Sequence, residues 1–229
     1  MSSPTPTRTI AGVKLVDSAI VRNALDYSRR HSDEITFNHT YRSWIFGVLL
    51  ATRMGIKFDP EVHAVAAMLH DLAWEYTSQF ASPDKRFEVD SAEAARQFLA
   101  DNAPEWESRK TQLVWDSIAL HTTPGIAQYK EAEVMVCNMG VLADIVGANF
   151  PGGLLSQSEY QTVVKELPRL RLEAGIKRIL CNLCIHKPDT TYDNVVARCR
   201  PIELPQTKGA LSYTSVARVH PQSSCSSLA

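Results

Sequence analysis

The stretch AVAAMLHDLAWEY, residues 64–76, decides the reading of this chain. It sets His70 and Asp71 side by side in the middle of an apolar run. Burying a neutral polar group without a partner costs about 2–7 kcal/mol, and a charge costs more. Something nearby must compensate both residues. Just upstream, Asp59 is followed by Pro60 and Glu61, which reads as a helix cap with proline in the first turn. The stretch is therefore expected to lie on one helix that begins there.

The same helical grammar repeats outward from this point. Asp17 or Ser18 caps a helix carrying Ile20, Val21, Ala24, Leu25 and Tyr27. A second helix begins near Thr36, runs through NHTYRSWIFGVLLATRM and stops at Gly55. SPDKRFE breaks the pattern. Asp90, with Glu93 three residues on, has the form of a capping box and is read as a cap. Further helices are expected over about 105–121, 131–147, 156–167 and 168–186, with a short last one near 189–196. TTPG ends the first of these. No tract of alternating Val, Ile and Thr bounded by hairpin turns is present, so strands are not expected. The predicted fold is all-α, a single compact multi-helix domain over residues 17–200. A loose Ser/Thr/Pro-rich segment, 1–16, precedes it, and a polar Ser-rich tail, 201–229, follows.

Composition narrows the function classes. The chain has 229 residues, 45% hydrophobic and 21% charged, with a net charge of −1. That balance sets up no global field toward nucleic acid or an anionic membrane. No apolar run approaches the roughly 20 residues of a membrane span, and the N-terminus lacks a secretory pattern. Five cysteines, Cys137, Cys181, Cys184, Cys199 and Cys225, at irregular spacing do not form a disulfide framework. A reducing, cytoplasmic compartment is the expectation, with a small-molecule substrate as partner. Exposed helical faces leave a homo-oligomer open.

Few ionisable residues lie in apolar context. His39 sits near the start of the second helix. His70 and Asp71 sit on the third. Asp144 lies in CNMGVLADIVGANF, and His121 ends VWDSIALH. A lone buried histidine is usually a satisfied core residue, and a lone buried aspartate is usually a cap. Here three separate helices each carry an ionisable residue amid Leu, Ala, Val and Ile. A bound metal would offset their desolvation together, and histidine with carboxylate suits a hard or borderline cation. Gly140 and Gly147 flank Asp144, each at about 1 kcal/mol of helix propensity relative to alanine. They are read as letting a neighbouring helix approach closely.

The order His39, His70-Asp71, Asp144 on helices resembles the HD-domain superfamily of metal-dependent hydrolases, residue by residue. Within it, the chain looks most like the fungal cyanamide hydratases and related HD proteins. The likeness is carried by FNHTYRSWIFG, AAMLHDLAW, SIALHTT, VLADIVGANF and LPRLRLEAGIKRILCNLCIHKP, and spans about residues 18–188. It implies an HD-domain fold, with His39, His70, Asp71 and Asp144 as metal ligands. It also implies zinc chemistry that adds water to a nitrile-like carbon, as in the conversion of cyanamide to urea. Zinc is the expected ion, and iron or manganese suits the same donors.

Around that set the residues leave alternatives. His121 reads as the acid–base group, since an ordinary imidazole pKa of about 6.5 suits a proton shuttle. It also reads as a histidine favoured by the dipole at a helix C-terminus, or as a ligand to a second ion. Asn38, Trp74 and Phe150 are candidate substrate-pocket residues, with core packing as the plain alternative. Arg42 either orients an anionic group or pairs with a structural aspartate. Glu75 and Asp116 are possible extra oxygen donors. His63 either lines the site or is a surface residue near a helix start, and the second is expected. The CxxC of residues 181–184 suits a buried helix face. Four functions compete: a hydratase or lyase on a small neutral molecule, a phosphohydrolase, a diiron oxygenase and a non-catalytic metal protein. Phosphate would demand converging Lys or Arg. Near the candidate residues only Arg42 and Arg53 answer, which favours the neutral substrate.

Overall fold

A computed structural model describes residues 5–199 of the chain. The tail beyond residue 200, including Cys225, lies outside the described residues. The fold is all-α, as expected, with nine helices among the described residues and one small hairpin. The hairpin corrects the reading of the first segment as loose. β1 (Thr7–Ile10) pairs antiparallel with β2 (Val13–Val16), with Ile10 opposite Val13. Ala11 and Gly12 both take positive φ, as a two-residue turn matched to strand twist requires. The pairs are too short to show alternation in the sequence, but Leu15 and Val16 are buried in the core.

α1 (Ala19–His31) packs beside α2 (Glu34–Met54), the axis of the molecule. α2 starts two residues before the expected Thr36 because Asp33 accepts the Thr36 N–H at 2.8 Å. It ends where Gly55 adopts the left-handed conformation and returns its N–H to Ala51 and Thr52. Nearly every side chain from Thr36 to Gly47 is buried, so α2 has protein on all sides. α3 (Pro60–Leu69) is capped by Asp59 through the Glu61 and Val62 amides. α4 (Phe87–Asn102), α5 (Ser108–Ala119) and the single turn α6 (Pro124–Ala127) follow. α7 (Ala132–Val146) then lies directly on α2. α8 (Gln157–Glu166), opened by a Ser156–Glu159 capping box, and α9 (Leu172–His186) complete the set.

The α2–α7 contact depends on glycine. A Cβ on Gly140 would stand 3.0 Å from the Gly47 nitrogen and nearer still to the Ser43 carbonyl oxygen. On the other side of Gly47 lies the His63 ring, in the space a Cβ would take. His63 is fully buried, which overturns its reading as a surface residue. Its Nε2–H donates to the Trp44 carbonyl at 3.2 Å, and burial lowers its pKa to about 4. Residues 132–149 are apolar and long enough, by composition, to resemble a membrane span. Their apolarity serves this contact instead: Val134, Val136, Cys137 and Ala143 are buried in the protein core.

Asp90 is not a cap. The helix begins at Phe87, and Asp90 is buried within it. It accepts hydrogen bonds from the Ser82 amide and hydroxyl and from the buried Lys187 ammonium at 2.8 Å. This pair ties the end of α9 to α4. Cys184 is buried and Cys181 half-buried on α9, in keeping with a helix face that packs.

Candidate metal centre

The HD pair is placed by the end of a helix. α3 stops at Leu69, and residues 70–73 form a turn, with Leu72 N–H on Leu69 O and Trp74 N–H on Asp71 O. The stretch is therefore not one continuous helix. This resolves a geometric difficulty, because adjacent residues on a helix point about 100° apart. In the turn, His70 Nε2 and Asp71 Oδ2 come to 3.1 Å.

Each imidazole is fixed by its other nitrogen. His70 Nδ1–H donates to Ala67 O at 2.8 Å. That carbonyl belongs to the last turn of α3 and has no partner within the helix. His121 repeats the arrangement at the end of α5, with Nδ1–H on Ile118 O at 2.6 Å. His39 Nδ1–H donates to Asp144 Oδ2 at 2.6 Å. All three rings thus present an Nε2 lone pair. Orientation of a ring by the hydrogen bond on its far nitrogen is the usual second layer of a metal site.

The lone pairs of His39 and His70 and one carboxylate oxygen of Asp71 form a triangle. Its edges are 3.3 Å for His39 Nε2 to His70 Nε2, 3.5 Å for His39 Nε2 to Asp71 Oδ2, and 3.1 Å for the last. Tetrahedral zinc with bonds of about 2.0–2.1 Å separates its ligands by about 3.3–3.4 Å. The three residues are at most 3% exposed. With every Nδ1 proton engaged elsewhere, three acceptors face one another with no donor between them. A cation fits this set, and His39, His70 and Asp71 are the group whose donor atoms converge for one.

Asp144 does not share this triangle. Its Oδ1 accepts Arg42 Nε at 2.6 Å, and its Oδ2 accepts Arg42 Nη2 at 2.9 Å as well as the His39 ring. Both oxygens are engaged, so the structure places it behind His39 and not beside it as a fourth ligand. Burial works against its charge, yet the His39 and Arg42 hydrogen bonds keep its pKa low. Arg42 is wholly buried, and its Nη1 donates to the Leu167 and Pro168 carbonyls at 3.0 and 3.1 Å. Of the two readings for Arg42, the structural aspartate holds, and substrate binding does not.

The remaining candidates divide. Trp74 stacks on His39, with ring centroids 5.9 Å apart at 14°, while its Nε1–H donates to Thr36 Oγ1 at 3.1 Å. Asn38 is turned away from the triangle and donates to Pro168 O at 3.0 Å. Phe150 is part of the main apolar core, and none of the described ring contacts joins it to the triangle. Glu75 pairs with Arg178, and Asp116 with Lys130, so neither adds an oxygen to the site. His121 is brought in: its Nε2 lies 3.6 Å from Asp71 Oδ1, and its ring sits edge-on to His70 at 4.6 Å. Burial lowers its pKa to about 3. A proton shuttle at neutral pH, the role first read for it, does not match that environment.

Sequence reasoning missed Glu88. It is 1% exposed, its Oε1 accepts the Thr122 hydroxyl at 2.6 Å, and its Oε2 has no partner. The signal was available. Glu88 lies on the helical stripe of Ser91, Ala92 and Ala95, all buried.

The HD domain family matches residues 36–166, more than half of the chain and a span that contains every residue of this cluster. Comparison with curated proteins finds no match. The histidine and aspartate cluster has the donors that a divalent metal requires in this family. The chain belongs to the HD-domain family of metal-dependent hydrolases.

Proposed function

We propose that this protein uses a single zinc ion to add water to a small neutral molecule with a nitrile-like or amide-like carbon. His39, His70 and Asp71 would hold the ion, and Asp144 fixes His39 from behind. Iron or manganese suits the same nitrogen and oxygen donors. A divalent ion in such a set supplies Lewis acidity and lowers the pKa of a water it binds. The Trp74 ring over His39 and the Phe87 ring against His121, centroids 5.7 Å apart, keep bulk water out.

One observation carries the choice of substrate class. Phosphate oxygens need cationic partners, and the buried cations among the described residues are Arg42 and Lys187. Both are engaged by protein carboxylates, Asp144 and Asp90. A phosphohydrolase, the second reading the family allows, would have to leave one of them free. An oxygenase with two irons needs a second ligand set, and among the described residues one group of converging donors forms, His39, His70 and Asp71. Cys137 and Cys181 as free thiols support a reducing, cytoplasmic setting.

The test is elemental analysis of purified protein beside Asp71→Ala, followed by turnover of cyanamide, small nitriles and a phosphate monoester. About one zinc per chain, lost in the variant, with turnover of a nitrile alone is the expected result. Turnover of the phosphate ester alone, or a folded protein with no metal, would overturn the proposal.

A further inference from the structure

The inner wall of the site is made of acceptors. His39, His70 and His121 present lone pairs, and Asp71 presents two oxygens. A neutral ligand that binds through a nitrogen or oxygen lone pair would find no hydrogen there. Glu88 is the buried group able to supply one. It lies beside His121: Phe87, its chain neighbour, packs on the His121 ring, and Thr122, its hydrogen-bond donor, follows His121. Asp71 is near enough for the two carboxyls to repel.

A carboxylate at Glu88 would leave Oε2 buried, charged and without a donor. The side chains around it do not supply one. Arg86, at the start of α4, is engaged by Asp193. Lys187 is engaged by Asp90. The Thr122 hydroxyl already serves Oε1. His121 has its proton on Ile118 O. A proton on Oε2 removes the charge and turns an unpartnered acceptor into a donor. Burial raises the Glu88 pKa in the same direction, against the Thr122 hydroxyl, the Glu88 backbone N–H and the Arg86 charge, which lower it.

We infer that Glu88 is held as a neutral carboxylic acid whose Oε2–H is the hydrogen-bond and proton donor for a small neutral ligand in this site. The ligand rests on the proposed function; the carboxylic acid does not. For water addition across a carbon–nitrogen triple bond, the step balances. The Oε2 proton passes to nitrogen as the water oxygen bonds to carbon, one C–N π bond breaks, and a proton from that water returns to Glu88.

The experiment is an infrared difference spectrum of wild type against Glu88→Gln at neutral pH, repeated in D2O. The expected result is the C=O band of a protonated carboxyl in wild type, shifted in D2O and absent from the variant. Metal content should be unchanged, because Glu88 is outside the ligand triangle. A second variant, Thr122→Val, keeps the acid and frees its carbonyl oxygen, so the band should persist at a higher frequency. Where a nitrile is turned over, Glu88→Gln should lower kcat by about 10²–10⁴-fold, more than it changes KM, and abolish the alkaline limb of the pH profile. A band without nitrile turnover would leave the acid standing and remove the proposed substrate. No carboxylic-acid band in wild type, the same band in Glu88→Gln, or loss of metal in that variant would overturn the inference.

Discussion

Gly140→Ala is the sharpest probe of how the fold makes the site. The new Cβ would stand 3.0 Å from the Gly47 nitrogen, 3.1 Å from its Cα and closer to the Ser43 carbonyl oxygen. Ordinary contacts between carbon atoms begin at about 3.5 Å, so α7 must retreat from α2 by about half an ångström or more. All three clashing atoms are backbone, and no rotamer change relieves them. Overpacking of this kind costs about 1–3 kcal/mol, and a rigid backbone contact belongs at the upper end. Alanine returns about 1 kcal/mol of helix propensity, leaving a net loss of about 2 kcal/mol. The retreat also acts on the site. Asp144 lies one turn from Gly140, and its bonds to Arg42 and His39 cross the same seam at 2.6–2.9 Å. Urea denaturation should show a lower midpoint, and zinc titration a weaker site. A variant as stable as wild type, or more so, with undiminished zinc affinity would refute the close packing of α2 on α7.

Four further outcomes are expected. Burial keeps His63 neutral with a pKa of about 4 against an ordinary 6.5, so its contribution is complete above pH 6.5 and fades as pH falls toward 4. That shift corresponds to about 3 kcal/mol, and pH-dependent denaturation of His63→Gln should lack this part of the acid loss. Lys187→Met strands Asp90 and should cost about 3–5 kcal/mol by the same assay, while adding Asp90→Asn should restore most of it. Asp144→Asn should weaken zinc binding by about 10–100-fold in a titration without abolishing it, whereas Asp71→Ala abolishes it. Phe150→Ala should lower stability by about 3–5 kcal/mol and leave bound metal unchanged.

The helical architecture was legible because its signals are local. Asp59-Pro60, Gly55 and Ser156 with Glu159 act within one turn of themselves, and each marks a boundary the structure keeps. The cluster was legible for another reason: His39, His70, Asp71 and His121 stand out as ionisable residues in apolar surroundings. Their roles were not, because a role depends on what the far atoms touch. Nothing in the spacing of Arg42 and Asp144 says that the guanidinium engages both carboxylate oxygens, a contact between residues 102 apart in the chain. Asp90 misled for the same reason, since a capping pattern and a buried partner for Lys187 share one sequence. His63 was misread because the small residue it packs on, Gly47, lies on another helix.

The arrangement of donors explains why the pair at residues 70–71 sits where a helix ends. A carbonyl of the last helical turn is an acceptor in search of a hydrogen. Placing a histidine three residues later satisfies that carbonyl, fixes the tautomer and aims the other nitrogen outward in one step. α3 and α5 both end this way, at Ala67 with His70 and at Ile118 with His121. α2 cannot, because His39 lies near its beginning, where free groups are N–H and not C=O. A carboxylate must then come from elsewhere, and α7 brings Asp144 across the glycine seam. Asp144 in turn would be a buried charge, which Arg42, one turn along α2 from His39, neutralises. The chain of dependence runs from Gly140 to Asp144 to His39 to the metal triangle. It accounts for a wholly buried arginine behind the site.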